Sequence, residues 1–574
     1  MPFSIRQQAL RLGHVAPNRW DWLMLPLVLA LIVLLAWGAM QMSRPFVVGE
    51  ATPVSLDPTE LPYYLLRTML RMFIALGISL LFAFAFAALA ARYRAAEKIM
   101  IPLLDVLQSV PILGVQAIAI APFIALFPGN LLGVECAAIF AIFTSQAWNM
   151  ALSLYQSLRN IPGELEEAAR VFRLSPWQRF WRLELPFAMP GLLWNMMMSM
   201  SGGWFFLVAA EAISVAGQHI KLPGIGSYIA VAIEQSNQQA IGWAIAAMLL
   251  GIVIYDQLFF RPLLAWADRF RFEETAGETA QRSWLLEWGR RSHWLRAASL
   301  RLAATLHAVT GGFALRHDGS VPPHRRLSVP RLWSQVGKAV LALISLGALG
   351  GLTLFIHQAV GWAEVLHVLW LGLLTLTRVI VLIILASLVW VPLSIWIGLR
   401  PRYSQKVQAL AQFLAAFPVN LLFALVVVLL VRLDLNPNIW LSPLMVFGTQ
   451  WYILFNVVAG ANGIPNELRL AAENMGLTGW LKCKRLYLPA VFPSFLTGAM
   501  TASGGSWNAS IVAEYVTWGD ITLQAQGLGS YIKQMTDAGD FHRIALGIGV
   551  MCLYVMVFNR LVWRRLLLRA ATRR

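Results

Sequence analysis

Apolar runs long enough to cross about 30 Å of hydrocarbon, roughly 20 residues each, recur along this chain with little between them. They lie near residues 23–42, 68–91, 102–126, 131–157, 188–214 and 240–264, and again near 337–357, 368–399, 407–431, 438–461, 491–516 and 543–567. The pattern predicts an all-α integral membrane protein of about twelve transmembrane helices in two sets of six. Pro111, Pro122 and Pro418 interrupt two of the runs without disqualifying them, because neighbouring helices satisfy the carbonyls a proline frees. The first run exceeds the apolar core of a secretory signal and no small-x-small cleavage site follows it, so it is expected to remain as a helix.

Composition removes the soluble alternative. Hydrophobic residues make up 58% and charged residues 13% of the 574, with a mean hydropathy of +0.64, against about 45–50% and about 25% in soluble domains. The few charges are mostly cationic, 45 Lys and Arg against 28 Asp and Glu, giving a formal net charge of +17. Their placement is one-sided. Arg6, Arg11 and Arg19 precede the first run; Arg92, Arg94 and Lys98 follow the second; Arg159, Arg170, Arg173, Arg179 and Arg182 follow the fourth; Arg560, Arg564, Arg565, Arg569, Arg573 and Arg574 crowd the tail. The alternate loops are poor in positive charge: 43–66 sets Arg44 against Glu50, Asp57 and Glu60. By the positive-inside rule both termini are expected in the cytoplasm, and the basic balance reflects topology rather than nucleic-acid binding. Cys136, Cys483 and Cys552 are far apart, without disulfide or metal-ligand spacing.

The organisation read from these patterns is a cytoplasmic segment 1–22, a first six-span domain 23–267, a basic cytoplasmic linker 268–336 and a second six-span domain 337–570. In the linker, Trp284, Leu285, Trp288, Trp294 and Leu295 would line one face of a helix on the membrane surface; the alternative is a tether that only rejoins the halves. The halves repeat one another. Residues 161–229 align with 464–532 at a constant offset of 303, and 24 of 69 positions are identical. Upstream the match is weaker, with Thr68 and Arg71 pairing with Thr375 and Arg378 at offset 307. Six spans per half make the repeat parallel in topology, with one substrate path between like halves.

The repeat is densest between the fourth and fifth runs of each half. Pro162 followed by Glu164, Glu166 and Glu167 reads as a helix start, since a proline fits the first turn and carboxylates favour the positive end of the helix dipole. A break near Leu174-Ser175-Pro176 precedes a second helix from Trp177 to Leu185, closed by Pro186. The other copy runs Pro465, Glu467, Leu477-Thr478-Gly479, Trp480 to Leu488, Pro489. Two short helices make a knob, and the small pairs Ala168-Ala169 and Ala471-Ala472 permit close approach of another backbone.

These segments, 161–186 and 464–489, resemble the EAA loop of type I ABC importer permeases, E-A-A-x3-G-x9-I-x-L-P. It reads here Glu167-Ala168-Ala169, Arg173, Leu183, Leu185-Pro186 and Leu470-Ala471-Ala472, Gly476, Leu486, Leu488-Pro489. The first copy has Arg173 where glycine is usual; the second has Leu470 in place of glutamate. The resemblance implies two tandem six-helix type I transmembrane domains in a bacterial inner membrane. It makes each loop a coupling helix docked into a cytoplasmic ABC ATPase, present in two copies, through Glu164, Glu167, Ala168, Ala169, Arg173 and Pro186, and through Glu467, Ala471, Ala472, Gly476 and Pro489. The two departures make the docking surfaces unequal. It further implies an extracytoplasmic solute-binding protein, lipid around the spans, and ATP and Mg held by the ATPase, with no cofactor or metal in this chain. Trp204 through Ala209-Ala210-Glu211, followed by Pro223-Gly224-Ile225-Gly226, is most similar to the nitrate/sulfonate/taurine branch; fused permeases also occur among the iron and thiamine importers.

No G-x-x-x-x-G-K-[ST] phosphate loop occurs, so the chain cannot bind ATP in the usual manner. Neither H-E-x-x-H nor any other catalytic constellation is present, and an enzyme is not expected. Ionisable groups at membrane depth are costly and commonly face a cavity or a partner. Ser201, Trp204 and Glu211 in the first half, with Ser503, Trp507, Asn508 and Glu514 in the second, are therefore pathway candidates. The other reading of the two glutamates is that they sit at the outer interface, bonded to nearby backbone. Gly202 and Gly203 allow either close packing or backbone exposed to substrate. Gln146, Asn149, Gln450 and Asn456 are secondary candidates, while Arg71 and Arg378 would either attract an anion or reach headgroups. The rival function, a twelve-span ion-coupled secondary transporter, predicts mid-membrane carboxylate or His relays and no duplicated knobs.

Overall fold

The computed structural model describes residues 18–45, 54–108, 110–215, 218–267, 283–312 and 343–566, apart from 344, 345, 348 and 418, together with residue 569. Most of the 1–22 segment, much of the linker, the start of the 337–357 run and Pro418 lie outside the described residues.

The first half comprises α1 (Arg19–Met42), α2 (Leu61–Arg92), α3 (Arg94–Leu107), α4 (Ile112–Leu126) and α5 (Leu132–Arg159). It continues with α6 (Gly163–Val171), α7 (Pro176–Arg179), α8 (Leu185–Glu211), strands β1 (Ala212–Val215) and β2 (Gln218–Lys221), α9 (Ile225–Glu234), α10 (Gln238–Tyr255) and α11 (Arg261–Ala267). The linker contributes α12 (Trp284–Arg291) and α13 (His293–Gly312). The second half follows the same order: α14 (Trp362–Gly398), α15 (Pro401–Ala416), α16 (Asn420–Arg432), α17 (Pro437–Trp440), α18 (Leu444–Phe447) and α19 (Trp451–Asn462). Then come α20 (Asn466–Asn474), α21 (Gly479–Lys482), α22 (Leu488–Ala513), β3 (Tyr515–Trp518), β4 (Ile521–Gln524), α23 (Leu528–Ala538) and α24 (Phe541–Phe558).

Among the described residues seven helices are long and apolar enough to cross a membrane, or eight if a pair bent by 43° at residues 448–450 counts as one. The architecture is the tandem helical membrane protein that the hydropathy pattern predicts, with three differences in detail. First, the third run of each half is two helices, not one: α3 and α4 part before Pro111, which caps α4, and α15 and α16 part at 417–419. A residue ahead of proline is pushed out of the helical region, and a hydropathy window averages over the gap. Second, the fold is not wholly helical. Each fifth helix ends in a short antiparallel hairpin, Ala212↔Lys221 to Val215↔Gln218 and Tyr515↔Gln524 to Trp518↔Ile521. Third, Pro186 does not close a helix. A π-turn at Phe180–Glu184, in which the Leu185 N–H donates to Phe180 O, joins α7 to α8 without a stop. The wider turn redistributes the ladder next to the residue that has no N–H to give. Cys483–Tyr487 does the same ahead of Pro489.

One apolar cluster runs through both halves, and the halves interlock. Helix α4 packs against α22, α23 and α24, and α15 packs against α8. At Gly114 a methyl group would sit 2.9 Å from Ile548, so the contact needs glycine. Of the linker tryptophans Trp288 is half-buried, while Trp284 and Trp294 stay exposed. Trp288 lies 5.6 Å from Trp20 and 4.8 Å from Trp284, and Asp21 Oδ1 accepts the Trp294 N–H (2.9 Å), which docks the linker onto the start of α1.

Candidate functional site

The two knobs are built alike. Pro162 and Pro465 cap α6 and α20, with Glu164 and Glu166, or Glu467, in the first turn. Each helix ends in a left-handed residue, Arg173 at φ +49° and Gly476 at φ +69°. The next N–H reaches back five residues, Leu174 to Ala169 O (3.1 Å) and Leu477 to Ala472 O (2.9 Å). This geometry explains the glycine of the motif, since a side chain in that region costs about 1–2 kcal/mol. An ion pair then ties each short helix to the one after it: Arg179 to Glu166 (2.9 Å) and Lys482 to Glu473 (2.8 Å). The hydrogen bond to Glu473 holds the Lys482 ammonium above the usual lysine range.

Burial separates the paired alanines. Ala169 and Ala472 are buried inside their knobs, whereas Ala168 and Ala471 are exposed with Glu164, Glu167 and Glu467. Around them stand apolar side chains that are about three-quarters exposed, Val171 and Phe172 on one knob, Met475 and Trp480 on the other. Leu470, at the glutamate position, is exposed too. Pro186 is half-buried and Pro489 exposed at the roots of the long helices.

The second constellation lies at the far end of the fifth helices. Glu211 accepts from Thr68 Oγ1 (2.7 Å), Arg71 Nη1 (2.6 Å) and the Gly226 N–H (2.7 Å), while Thr68 Oγ1 accepts the Ile225 N–H (3.0 Å). Glu514 accepts from Thr375 Oγ1 (2.9 Å), Arg378 Nη1 (2.9 Å) and the Gly529 N–H (2.8 Å), and Thr375 Oγ1 accepts the Leu528 N–H (2.9 Å). Each carboxylate thus fastens the second helix to the loop that follows the hairpin. Gly224 and Gly527 are needed there, because a methyl group would lie 2.4 Å and 2.2 Å from the respective carboxylate. All four ionised groups are buried or nearly so, and the carboxylates are consumed by these contacts rather than open to a solute. Arg71 is buried and Arg378 nearly so, each bonded to the glutamate of its own half. Sequence reasoning missed that Arg67 and Arg71 both pair with Glu135. The available signal was two arginines one turn apart on an apolar helix and one carboxylate in the apolar 131–157 run.

The remaining candidates disperse. Trp204 and Trp507 are buried and pack on Tyr255 (5.8 Å) and Tyr554 (6.4 Å) of their own halves. Ser201 Oγ donates to Met197 O (3.1 Å), and Ser503 is buried. Asn508 belongs to the junction of the halves: its Oδ1 accepts the Ile112 N–H at the start of α4 (2.7 Å). Across the junction, Asn420 Nδ2 donates to Phe205 O (3.2 Å). Gly202 also faces the other half, where a methyl group would meet Tyr452 Oη at 2.3 Å. Gln146 is buried beside the sulfurs of Met72 and Met200, Gln450 accepts from Trp390 Nε1 (2.9 Å) and Asn456 donates to its own helix. No group of three potential metal ligands occurs among the described residues.

The chain is similar to known transport proteins in both halves. The family model described as binding-protein-dependent transport system inner membrane component matches residues 79–260 and 390–567. Among curated relatives, the bicarbonate transport system permease protein CmpB of Synechococcus elongatus is 28% identical over 134 residues, 23% of this chain and 45% of that protein. The nitrate import permease protein NrtB of Leptolyngbya laminosa is 29% identical over 154 residues, 27% and 50% of the two chains. The glycine betaine/proline betaine permease protein ProW of Escherichia coli is 29% identical over 212 residues, 35% and 54%. The chain thus spans about half the length of these relatives. The two family matches together cover well over half of the chain, which belongs to the family of binding-protein-dependent ABC transport permeases and carries two such domains in one polypeptide.

Proposed function

We propose that this chain is the membrane subunit of an importer in which two copies of a separate cytoplasmic ATPase grip the two knobs, and a binding protein delivers solute from outside. Both termini and both knobs lie in the cytoplasm, as the arginine distribution requires. ATP-driven approach of the two motors moves the knobs, and the interlocked halves rock about a path between them. The single observation behind this reading is the duplicated knob, with the same left-handed turn at Arg173 and Gly476 and an exposed apolar tip on each copy. An apolar tip on a charged protrusion is a surface waiting for a partner. The solute is a small anion such as nitrate or a sulfonate, or a taurine-like solute that carries the sulfonate group; the relatives named for bicarbonate and nitrate support the anion class. The relative named for betaines supports a second reading, a small zwitterion.

The test is reconstitution in liposomes with the ATPase and binding protein. Because Ala169 and Ala472 are buried, the informative variants are at exposed positions: Phe172→Asp and Met475→Asp should lower solute-stimulated ATP hydrolysis about tenfold or more together, the equivalent of about 1.4 kcal/mol of lost docking. Hydrolysis that stays coupled in the double variant, or uphill transport by this chain without any ATPase, would remove the proposal.

A further inference from the structure

An apolar groove of about 780 Å³ lies in the second half, outside the sites described above, walled by residues 379–392 of α14, 488–496 of α22 and 558–566 at the end of the last helix. Its wall includes Leu488, where α22 leaves the second knob. The one hydroxyl in its wall, Ser387, is already satisfied by Ile383 O (2.6 Å). The lining is otherwise apolar, and the helices that wall it include segments of membrane-spanning length.

In the first half three phenylalanines stand at the matching place. Phe73 and Phe259 pack edge to face there at 5.0 Å, and Phe260 packs on Phe259 at 5.2 Å. The residues at the corresponding positions of the second half are Ile380 and Val562, both in the groove wall, so these two rings give way to aliphatic side chains, while Phe492 and Phe495 of the wall stand where the first half has Met189 and Leu192. Trp563, which stands where the first half has Phe260, also lines the groove; it is 94% buried, and its indole N–H has no partner among the described residues. At the knob end, Lys484 and Arg485 come just before Leu488, and Arg564 and Arg565 directly follow Trp563. All four are exposed.

We propose that this groove is a binding site for one anionic phospholipid from the leaflet on the knob side. Its acyl chains occupy the space that Phe73 and Phe259 fill in the first half, and its phosphate lies on the Lys484/Arg485 and Arg564/Arg565 rim. Apolar walls provide affinity without choosing a headgroup; the rim provides the choice, at about fivefold per cation that reaches the phosphate. A lipid seated there braces the root of the second knob alone, and this site goes beyond the importer assignment, requiring only that the helices are in a bilayer.

Native mass spectrometry of the intact chain, released from detergent containing equal phosphatidylglycerol and phosphatidylcholine with identical acyl chains, reads the site directly. One phosphatidylglycerol should be retained in preference to phosphatidylcholine, by at least fivefold. Ile380→Phe with Val562→Phe, which copies the first half, should abolish that retained molecule. Lys484→Ala with Arg485→Ala lies on the surface and leaves the walls intact; it should leave a lipid bound but erase the headgroup preference. Equal retention of both lipids by the unaltered chain, retention unaffected by the filled groove, a preference unchanged by loss of the rim cations, or a second copy of the chain in place of lipid would each overturn the proposal.

Discussion

The two halves solve one electrostatic problem with different numbers of charges. In the first, Arg67 and Arg71 face Glu135 and Glu211; in the second, Arg378 faces Glu514 alone. Leu374 occupies the position of Arg67 and Asn438 that of Glu135. A cation and an anion are absent together, so both sites stay neutral. Asn438 keeps the geometry of the lost glutamate, its Oδ1 accepting from Arg378 Nη2 (3.5 Å) and the Gln526 N–H (2.8 Å). The lesson is that what the fold requires here is charge balance around one Arg–Glu pair, not a particular set of four residues. Burying an ion pair is close to neutral, but leaving one member unpaired costs about 3–5 kcal/mol.

That asymmetry gives the largest expected effect. Glu135→Asn alone strands a buried arginine and should destabilise the chain by about 3–5 kcal/mol. Arg67→Leu combined with Glu135→Asn converts the first site to the pattern of the second and should recover most of that loss. Unfolding of the purified chain in detergent measures both. A double variant no better than the single one would break the comparison, and show that Arg67 and Glu135 are held for a reason other than neutrality.

The glycines beside the locks come next. Gly224→Ala and Gly527→Ala each push a methyl group into a carboxylate, and overpacking of a buried site typically costs about 1–3 kcal/mol. Because both glycines meet their glutamates in the same way, the two losses should agree within about 1 kcal/mol. A large disparity would mean that the extra pair in the first half stiffens its loop.

Much of this was legible beforehand, and what was not has a physical cause. The offset of 303 located both knobs, because identical backbone turns need matching residues at matching spacing. The partners of Glu211 and Glu514 were half visible, since Thr68 and Arg71 recur as Thr375 and Arg378. Their meaning was hidden because a buried charge is explained by whatever packs against it, and Glu135 and Pro223 come from distant parts of the chain. The hairpins at 212–221 and 515–524 went unread, their first residues lying at the ends of the runs 188–214 and 491–516, as short strands of four residues have no period of their own. Pro186 looked like a stop, and the π-turn before it made it a passing point.

At the knobs the comparison predicts a smaller effect of opposite sign in each half. Arg173→Gly should stabilise the first knob by about 1 kcal/mol, and Gly476→Arg should cost the second about 1–2 kcal/mol. Protease susceptibility of 161–186 against 464–489 reads each locally. If both changes are silent, the left-handed turn is not what glycine serves in this motif.

The smallest expected effect concerns the junction of the halves, where the two sides use different donors for one job. Asn508 accepts the Ile112 N–H at the start of α4, satisfying a helix-end donor that has no partner within its own helix. Across the junction it is the side chain at the start of α16, Asn420, that donates to the Phe205 carbonyl of α8. Phe205 and Asn508 are equivalent positions at offset 303, so the hydrogen bond has reversed: backbone N–H donates to side chain at Ile112–Asn508, and side chain donates to backbone carbonyl at Asn420–Phe205. Asn508→Ala leaves a part-buried helix-end N–H unpaired and should cost about 1–2 kcal/mol, whereas Asn420→Ala removes a donor to a carbonyl inside a helix and should cost about 0.5 kcal/mol. The order of the two losses, read by unfolding in detergent, is what matters. A reversed order would locate the tighter hold between the halves at α16 rather than α4, and with it the side about which they turn.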